Sequence, residues 1–292
     1  MSEPRTIKQL LELGTRVLED SSHIFDDHDV ENEARELLSR TLNIDVDDLE
    51  PDQEPSLRAR ERYLSLIARR AGGEPFPFLM GFIEFWGLEL TVTPGAFVPR
   101  PSSELTVELA VERLRRKKAP VVVDVCTGAG PIALAIADEF PKAEVYGADI
   151  SEEGLAQGRR NAKQLGIKNV KLKRGDMYAP LPPKLLGKVD LITGHVPYVH
   201  LDEIEDLPSE VREFEPLFTL SDQSGDGLDL MRRAVFESPA WLKPGAWLLL
   251  ETAEDLGPKV RKMFQKAGFE KVETKMDEDR LSIVVEGRLK PR

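Results

Sequence analysis

Four short segments hold residue types that chemistry needs. Asp124-Val-Cys-Thr-Gly-Ala-Gly130 closes a run of valines with two glycines. Glycine in such a turn permits positive φ and lets the backbone approach a ligand. Asp149, followed by Ile150, ends the next apolar run, 19 positions after Gly130 (149 − 130). An acid there is placed to accept hydrogen bonds from ribose hydroxyls. Gly175-Asp176-Met177 follows a third run. Asp176 can receive the exocyclic amine of adenine with Met177 against the ring face, although an isolated Asp there also fits a plain turn. The fourth segment is His195-Val196-Pro197-Tyr198. Its imidazole offers one donor and one acceptor, and can act as a base near neutral pH.

The first three segments describe a nucleoside-cofactor cradle. Its expected contacts are Asp124, Cys126, Thr127, Gly128, Ala129, Gly130, Asp149, Ile150, Asp176 and Met177, with His195 beside them. A dinucleotide fingerprint has a third glycine where Ala133 stands, a tolerated replacement. No phosphate-binding cation or hydride-acceptor site accompanies it, which points to S-adenosylmethionine over NAD.

Such residues must sit at strand ends. From about residue 104 the pattern alternates helix and strand. Helix 104–117 precedes strand 121–125, and helix 131–138, strand 143–149, helix 151–165 and strand 169–173 follow. Strand 189–193 leads into a long loop, helix 228–240, strand 246–251, helix 258–267 and two last strands. Alternation of this kind predicts a parallel, doubly wound α/β sheet. Upstream, residues 1 to 80 read as helices: Ile7, Leu10, Leu11, Val17 and Leu18 recur at helical spacing, as do Val30, Ala34, Leu37 and Leu38, and Leu57, Leu64, Ile67 and Ala68. Asp29 is the expected N-cap of the second helix. Arg69-Arg70-Ala-Gly-Gly73 reads as a helix end with cations in its last turn. This helical region is either a stability cap or a docking platform. Residues 82–93 read as a hairpin turning near Gly87.

The chain has 292 residues, enough for two domains, and a net charge of −12. That balance disfavours nucleic acid, whose binders usually present a basic face. The run Arg113-Leu-Arg-Arg-Lys-Lys118 is expected as the solvated end of a helix. Cys126 is the single cysteine and His occurs four times. No disulfide or structural zinc is expected, and a reducing cytoplasm fits. The N-terminus reads as an amphipathic stretch, not a signal peptide, and no apolar run reaches membrane-spanning length.

Longer motifs carry a resemblance. They include Arg69-Arg-Ala-Gly-Gly-Glu-Pro75, Phe85-Trp-Gly-Leu88, Val98-Pro-Arg-Pro101, the turn at 124–130, and Leu207-Pro-Ser-Glu-Val211. Glu215-Pro216, Gly225-Asp-Gly-Leu-Asp229 and Leu242-Lys-Pro-Gly245 continue the series. With these the chain resembles, almost end to end, the protein-glutamine N5-methyltransferase family, which methylates the Gly-Gly-Gln loop of class 1 peptide-chain release factors. The resemblance implies S-adenosylmethionine as methyl donor and a Rossmann-like class I core of seven strands over 101–292. It also implies a helical substrate-docking domain over 1–80 and a β-hairpin linker over 81–100. Phe97 and Arg100 are then expected beside cofactor and acceptor, with a release factor as partner and a monomeric, cytoplasmic enzyme.

The chain departs from the family motif at the acceptor. Asn-Pro-Pro-Tyr is here His195-Val196-Pro197-Tyr198, Pro-Glu-Thr-Glu is Pro101-Ser102-Ser103-Glu104, and Glu-Ile-Gly is Glu251-Thr252-Ala253. In the motif, the Asn oxygen and a backbone carbonyl accept the two amide hydrogens and aim the nitrogen. Val196 keeps its carbonyl, and His195 either accepts one hydrogen, acts as a base, or is a spacer. Four outcomes stay open: glutamine methylation, methylation of an amine, amide or guanidine in a small metabolite or peptide, cofactor binding without turnover, and DNA adenine methylation, the last disfavoured by charge.

Overall fold

The computed structural model describes residues 4–24, 28–276 and 283–291. The chain divides into two compact units, one made of residues up to Phe82 together with Glu205–Phe214, the other of Ile83–Ile204 and Glu215 onward.

The first unit is helical. It holds α1 (Ile7–Glu19), α2 (Val30–Leu42), α3 (Leu57–Ala71) and the short α4 (Phe76–Met80). Thr6 and Gln9 cap α1 reciprocally, and Asp29 accepts from the Asn32 amide at the start of α2, as its position predicts. The apolar stripes meet in a core of Ile7, Leu10, Leu18, Leu37, Leu38, Tyr63 and Ile67. Gly14 is glycine because a Cβ there would lie 2.1 Å from the Tyr63 hydroxyl. The α3 end carries Arg69 and Arg70 in its last turn, as expected. Arg70 is fully buried, its guanidinium bonded to Glu33 (2.7 and 3.0 Å) and to Glu210 (2.7 Å). The Glu33 hydrogen bond also raises the pKa of the adjoining His28.

The second unit begins with a two-stranded sheet, β1 (Phe82–Phe85) and β2 (Leu88–Thr91), which turns through Gly87. Then come α5 (Glu104–Leu114), β3 (Val121–Val125), α6 (Pro131–Glu139), β4 (Glu144–Asp149), α7 (Glu152–Gln164), β5 (Val170–Arg174) and β6 (Val189–His195). The remaining elements are α8 (Ser209–Arg212, in the first unit), α9 (Leu217–Leu220), α10 (Asp229–Glu237), β7 (Leu242–Thr252), α11 (Gly257–Lys266), β8 (Phe269–Met276) and β9 (Ile283–Leu289).

The expected seven-stranded core is present, in the order β5-β4-β3-β6-β7-β9-β8. It is not wholly parallel: β9 runs antiparallel to both β7 and β8. Met276 and Ile283 are too close in sequence for a crossover helix, so the last two strands must pair antiparallel. Alternate residues feed two cores. Val122, Leu191 and Leu249 pack with α5 and α6, while Val123, Ile192 and Leu248 pack with α10 and α11. Both faces of the sheet are thus covered, which is why its strands read as continuous apolar runs. The basic run at the end of α5 corrects its solvated expectation in part. Arg113 is bonded to Glu286 (2.8 and 2.5 Å) and lies over the Trp247 ring, because β7 and β9 pass beside the end of α5. Among the described residues, no helix is long and apolar enough to cross a membrane.

Candidate active site

The chain winds from β3 outward to β4 and β5, then returns to place β6 on the other side of β3. Ligands bind beyond the carboxyl ends of strands where winding reverses. A cleft lies there, and Asp124, Cys126, Thr127, Gly128, Ala129, Asp149, Ile150, Asp176, Met177, Phe97, Arg100, His195 and Pro197 all line it. Gly130, Val196 and Tyr198 do not. Gly130 caps α6 at φ +77°, Val196 is fully buried in the sheet core, and Tyr198 stacks under His195.

The cradle is built by backbone geometry. Gly128 and Gly130 take φ +56° and +77°, and Cys126 is left-handed at φ +53°. A Cβ at Gly128 would project into space with no protein atom within 4 Å. Behind the turn, a Cβ on Gly158 of α7 would come within 2.6 Å of the Ala129 carbonyl, so glycine lets helix and turn touch. Asp149 accepts from the amides of Gly128 (2.7 Å) and Ser151 (2.8 Å). Each oxygen keeps a lone pair for a further donor. Burial raises the Asp149 pKa, and these amides oppose the rise. Asp176 sits at the rim, its carboxylate bonded to Arg233 (2.9 and 3.0 Å).

Asp124 ties the two halves of the cleft. It accepts from Thr127 of the turn (2.5 Å) and Thr193 of β6 (2.7 Å). Burial pushes its pKa up to about 6, with both hydroxyls pulling the other way. Asp124, Asp149 and Asp176 give the lining a negative character, and Arg100 is the one Lys or Arg among its described residues. That cation is engaged: it bonds Glu215 at 2.5 Å and lies 4.5 Å over the Phe97 ring.

On the β6 side an aromatic stack fixes the loop. The His195 ring lies nearly parallel to Tyr198 (15°, centroids 5.6 Å apart), and Phe97 meets it edge-on at 5.3 Å. Burial pushes the Tyr198 pKa up to about 12. His195 Nδ1 lies 3.4 Å from Ser103 Oγ and 3.4 Å from Glu251 Oε2. Ser103, Glu215, Phe218 and Glu251 were not among the expected site residues, although Glu215 stood in a motif of the resemblance. The departures at 101–104 and 251–253 had already pointed to two of them.

A family profile described as a methyltransferase domain matches residues 116–221. A release factor glutamine methyltransferase of Geobacter sulfurreducens is 36% identical over 88% of this chain and 89% of its own. A second, of Burkholderia pseudomallei, is 36% identical over 88% and 91%. Among solved structures, a 16S rRNA methyltransferase of T. Thermophilus, in complex with AdoMet and guanosine, superposes with TM-score 0.54. It is 21% identical and covers 72% of this chain and 50% of that one, a likeness of fold alone. Identity sustained across both units, on a sheet whose switch point carries a glycine cradle and a x-x-Pro-Tyr loop, has one reading: the chain belongs to the release factor glutamine methyltransferase family.

Proposed function

We propose that this chain methylates the side-chain amide nitrogen of a glutamine, in the Gly-Gly-Gln loop of a class 1 release factor, with S-adenosylmethionine as donor. The observation that carries the reading is the convergence of the cradle and the His195 loop on one acid-lined cleft. The donor set fits the cofactor. Asp149 has lone pairs for ribose hydroxyls, the space before Gly128 is open, and the carboxylates favour a cationic ligand over a phosphate. S-adenosylmethionine supplies an electrophilic methyl on a sulfonium; the protein's task is position and charge.

In this reading Asp149 holds the ribose and Asp176 with Met177 borders the adenine, Asp176 releasing Arg233 or sharing it. The His195 ring accepts one amide hydrogen and aims the nitrogen; the Val196 carbonyl, second acceptor in the family motif, is buried here and takes the other hydrogen only if the loop shifts. Tyr198 and Phe97 keep the imidazole plane fixed. The helical unit docks the release factor, and the enzyme works as a cytoplasmic monomer. The imidazole favours a second reading, methylation of another N–H acceptor, over the remaining alternatives. Labelled donor and purified release factor, with mass analysis of the Gly-Gly-Gln peptide, separate the two. One added methyl on that glutamine supports the first reading. None, with cofactor binding confirmed in the same preparation, moves the assignment to another acceptor.

A further inference from the structure

Methylating an NH2 group releases a proton, and the family's Asn cannot take it. We propose that in this chain His195 Nε2 is the proton acceptor, with Glu251 and Ser103 as the residues that position its ring; the inference rests on the methyl-transfer reading above.

The ladder between β6 and β7 pairs His195 directly with Glu251, so both side chains leave the sheet on one side. Glu251 is 3% exposed and Ser103 2%, and both face Nδ1 at 3.4 Å. A carboxylate only accepts hydrogen bonds, so Glu251 beside Nδ1 favours the ring proton there and the lone pair on Nε2, while the Ser103 hydroxyl can serve either tautomer. The Ser103 contact has loose hydrogen-bond geometry and the Glu251 contact is an ion-pair distance; catalytic hydrogen bonds often tighten only once ligand is bound. Nε2 has no hydrogen-bond partner among the described residues, and the ring borders the cleft. The other charged or titratable groups around the ring are Asp124 on the adjoining strand, Arg100 above Phe97 with its partner Glu215, and Tyr198 beneath it with Asp255 in its field.

The balance closes within this set. The acceptor nitrogen forms the new N–C bond, the C–S bond breaks with its electrons going to sulfur, and one N–H bond breaks with its electrons staying on nitrogen. That proton moves to Nε2, giving an imidazolium beside the Glu251 carboxylate, which later passes it to water. Asn at 195 can orient the amide but leaves the proton to solvent.

The test has two arms on the full chain. In the first, histidine is labelled with 15N, and the His195→Asn spectrum identifies the ring among four histidines. The expected wild-type tautomer carries hydrogen on Nδ1. Glu251→Gln, nearly isosteric, is expected to raise the share of the Nε2–H tautomer, since the Gln amide can donate to Nδ1 where the carboxylate only accepts. Ser103→Ala is a milder check on the same signal. In the second arm, release-factor methylation is followed between about pH 5 and 8. The wild-type rate should fall toward low pH as the ring takes up a proton, a limb that His195→Asn should lack. An Nε2–H tautomer, or a limb unchanged in His195→Asn, overturns the proposal. If the cofactor binds but no glutamine is methylated, the functional reading fails. The first arm then still decides the ring's proton, because an Nδ1–H tautomer that depends on Glu251 upholds the positioning of the ring and an Nε2–H tautomer ends the assignment.

Discussion

The two halves of the cleft are built from different materials. The cradle is backbone: a left-handed glycine turn, two amides on Asp149, and a helix that reaches the turn because Gly158 lacks a Cβ. The His195 side is side chain: an imidazole flanked by Tyr198, Phe97, Ser103 and Glu251, which are drawn from three stretches of sequence. Backbone geometry admits few substitutes, whereas a side-chain pocket can be rebuilt one contact at a time. The difference explains how a chain can keep the family's cradle and carry His195 where the family motif has Asn.

Asp124 joins the halves, so its replacement gives the largest effect that bears on this contrast. A carboxyl whose folded pKa lies above its unfolded value holds its proton better when folded. It favours folding at low pH and loses that contribution as pH rises from 3.8 to about 6. Compared with Asp124→Asn, the wild type should lose on the order of 3 kcal/mol of stability across that window, read from urea titrations at several pH values. Equal pH dependence in both proteins would remove Asp124 as the strained link. Next, Gly158→Ala puts a methyl against the Ala129 carbonyl, and should cost about 2 kcal/mol and weaken cofactor binding. A silent substitution would show that the cradle is softer than its geometry implies. Asp149→Ala should reduce cofactor affinity at least about tenfold, roughly 1.4 kcal/mol, by calorimetry. On the acceptor side Tyr198→Phe keeps the ring stack and should hold kcat within about threefold, roughly 0.7 kcal/mol. A much larger loss would mean that the hydroxyl, not the ring, is what the loop uses.

Legibility in the sequence follows the same division. The turn at 124–130 and the acid at 149 were readable because positive φ and strand-end spacing are local properties. The doubly wound sheet and its Rossmann-like class followed from alternation and from the resemblance, but the strand order did not. The antiparallel pairing of β9 was not readable from apolar runs, which look alike in either direction. Partnerships across long separations were invisible too. Arg113 finds Glu286 at 173 positions, Arg70 finds Glu210 at 140, and Arg100 finds Glu215 at 115. A cation in the last turn of a helix looks solvated until a distant carboxylate is folded against it. His195 was singled out by sequence, but Glu251 gained meaning only when the β6–β7 register set it opposite.

The excursion of Glu205–Phe214 into the helical unit has a consequence for anyone who wishes to dissect this protein. The backbone passes between the two units three times, after Phe82, after Ile204 and after Phe214. A cut at the first boundary therefore does not yield two clean fragments. A piece starting at Ile83 still carries Glu210, the carboxylate that belongs to buried Arg70, while the piece ending at Phe82 keeps that arginine with half of its acidic partners gone. The helical unit is best treated as a part that is sewn in, and fragment studies should carry residues 205–214 with it by circular permutation or by a tethered peptide.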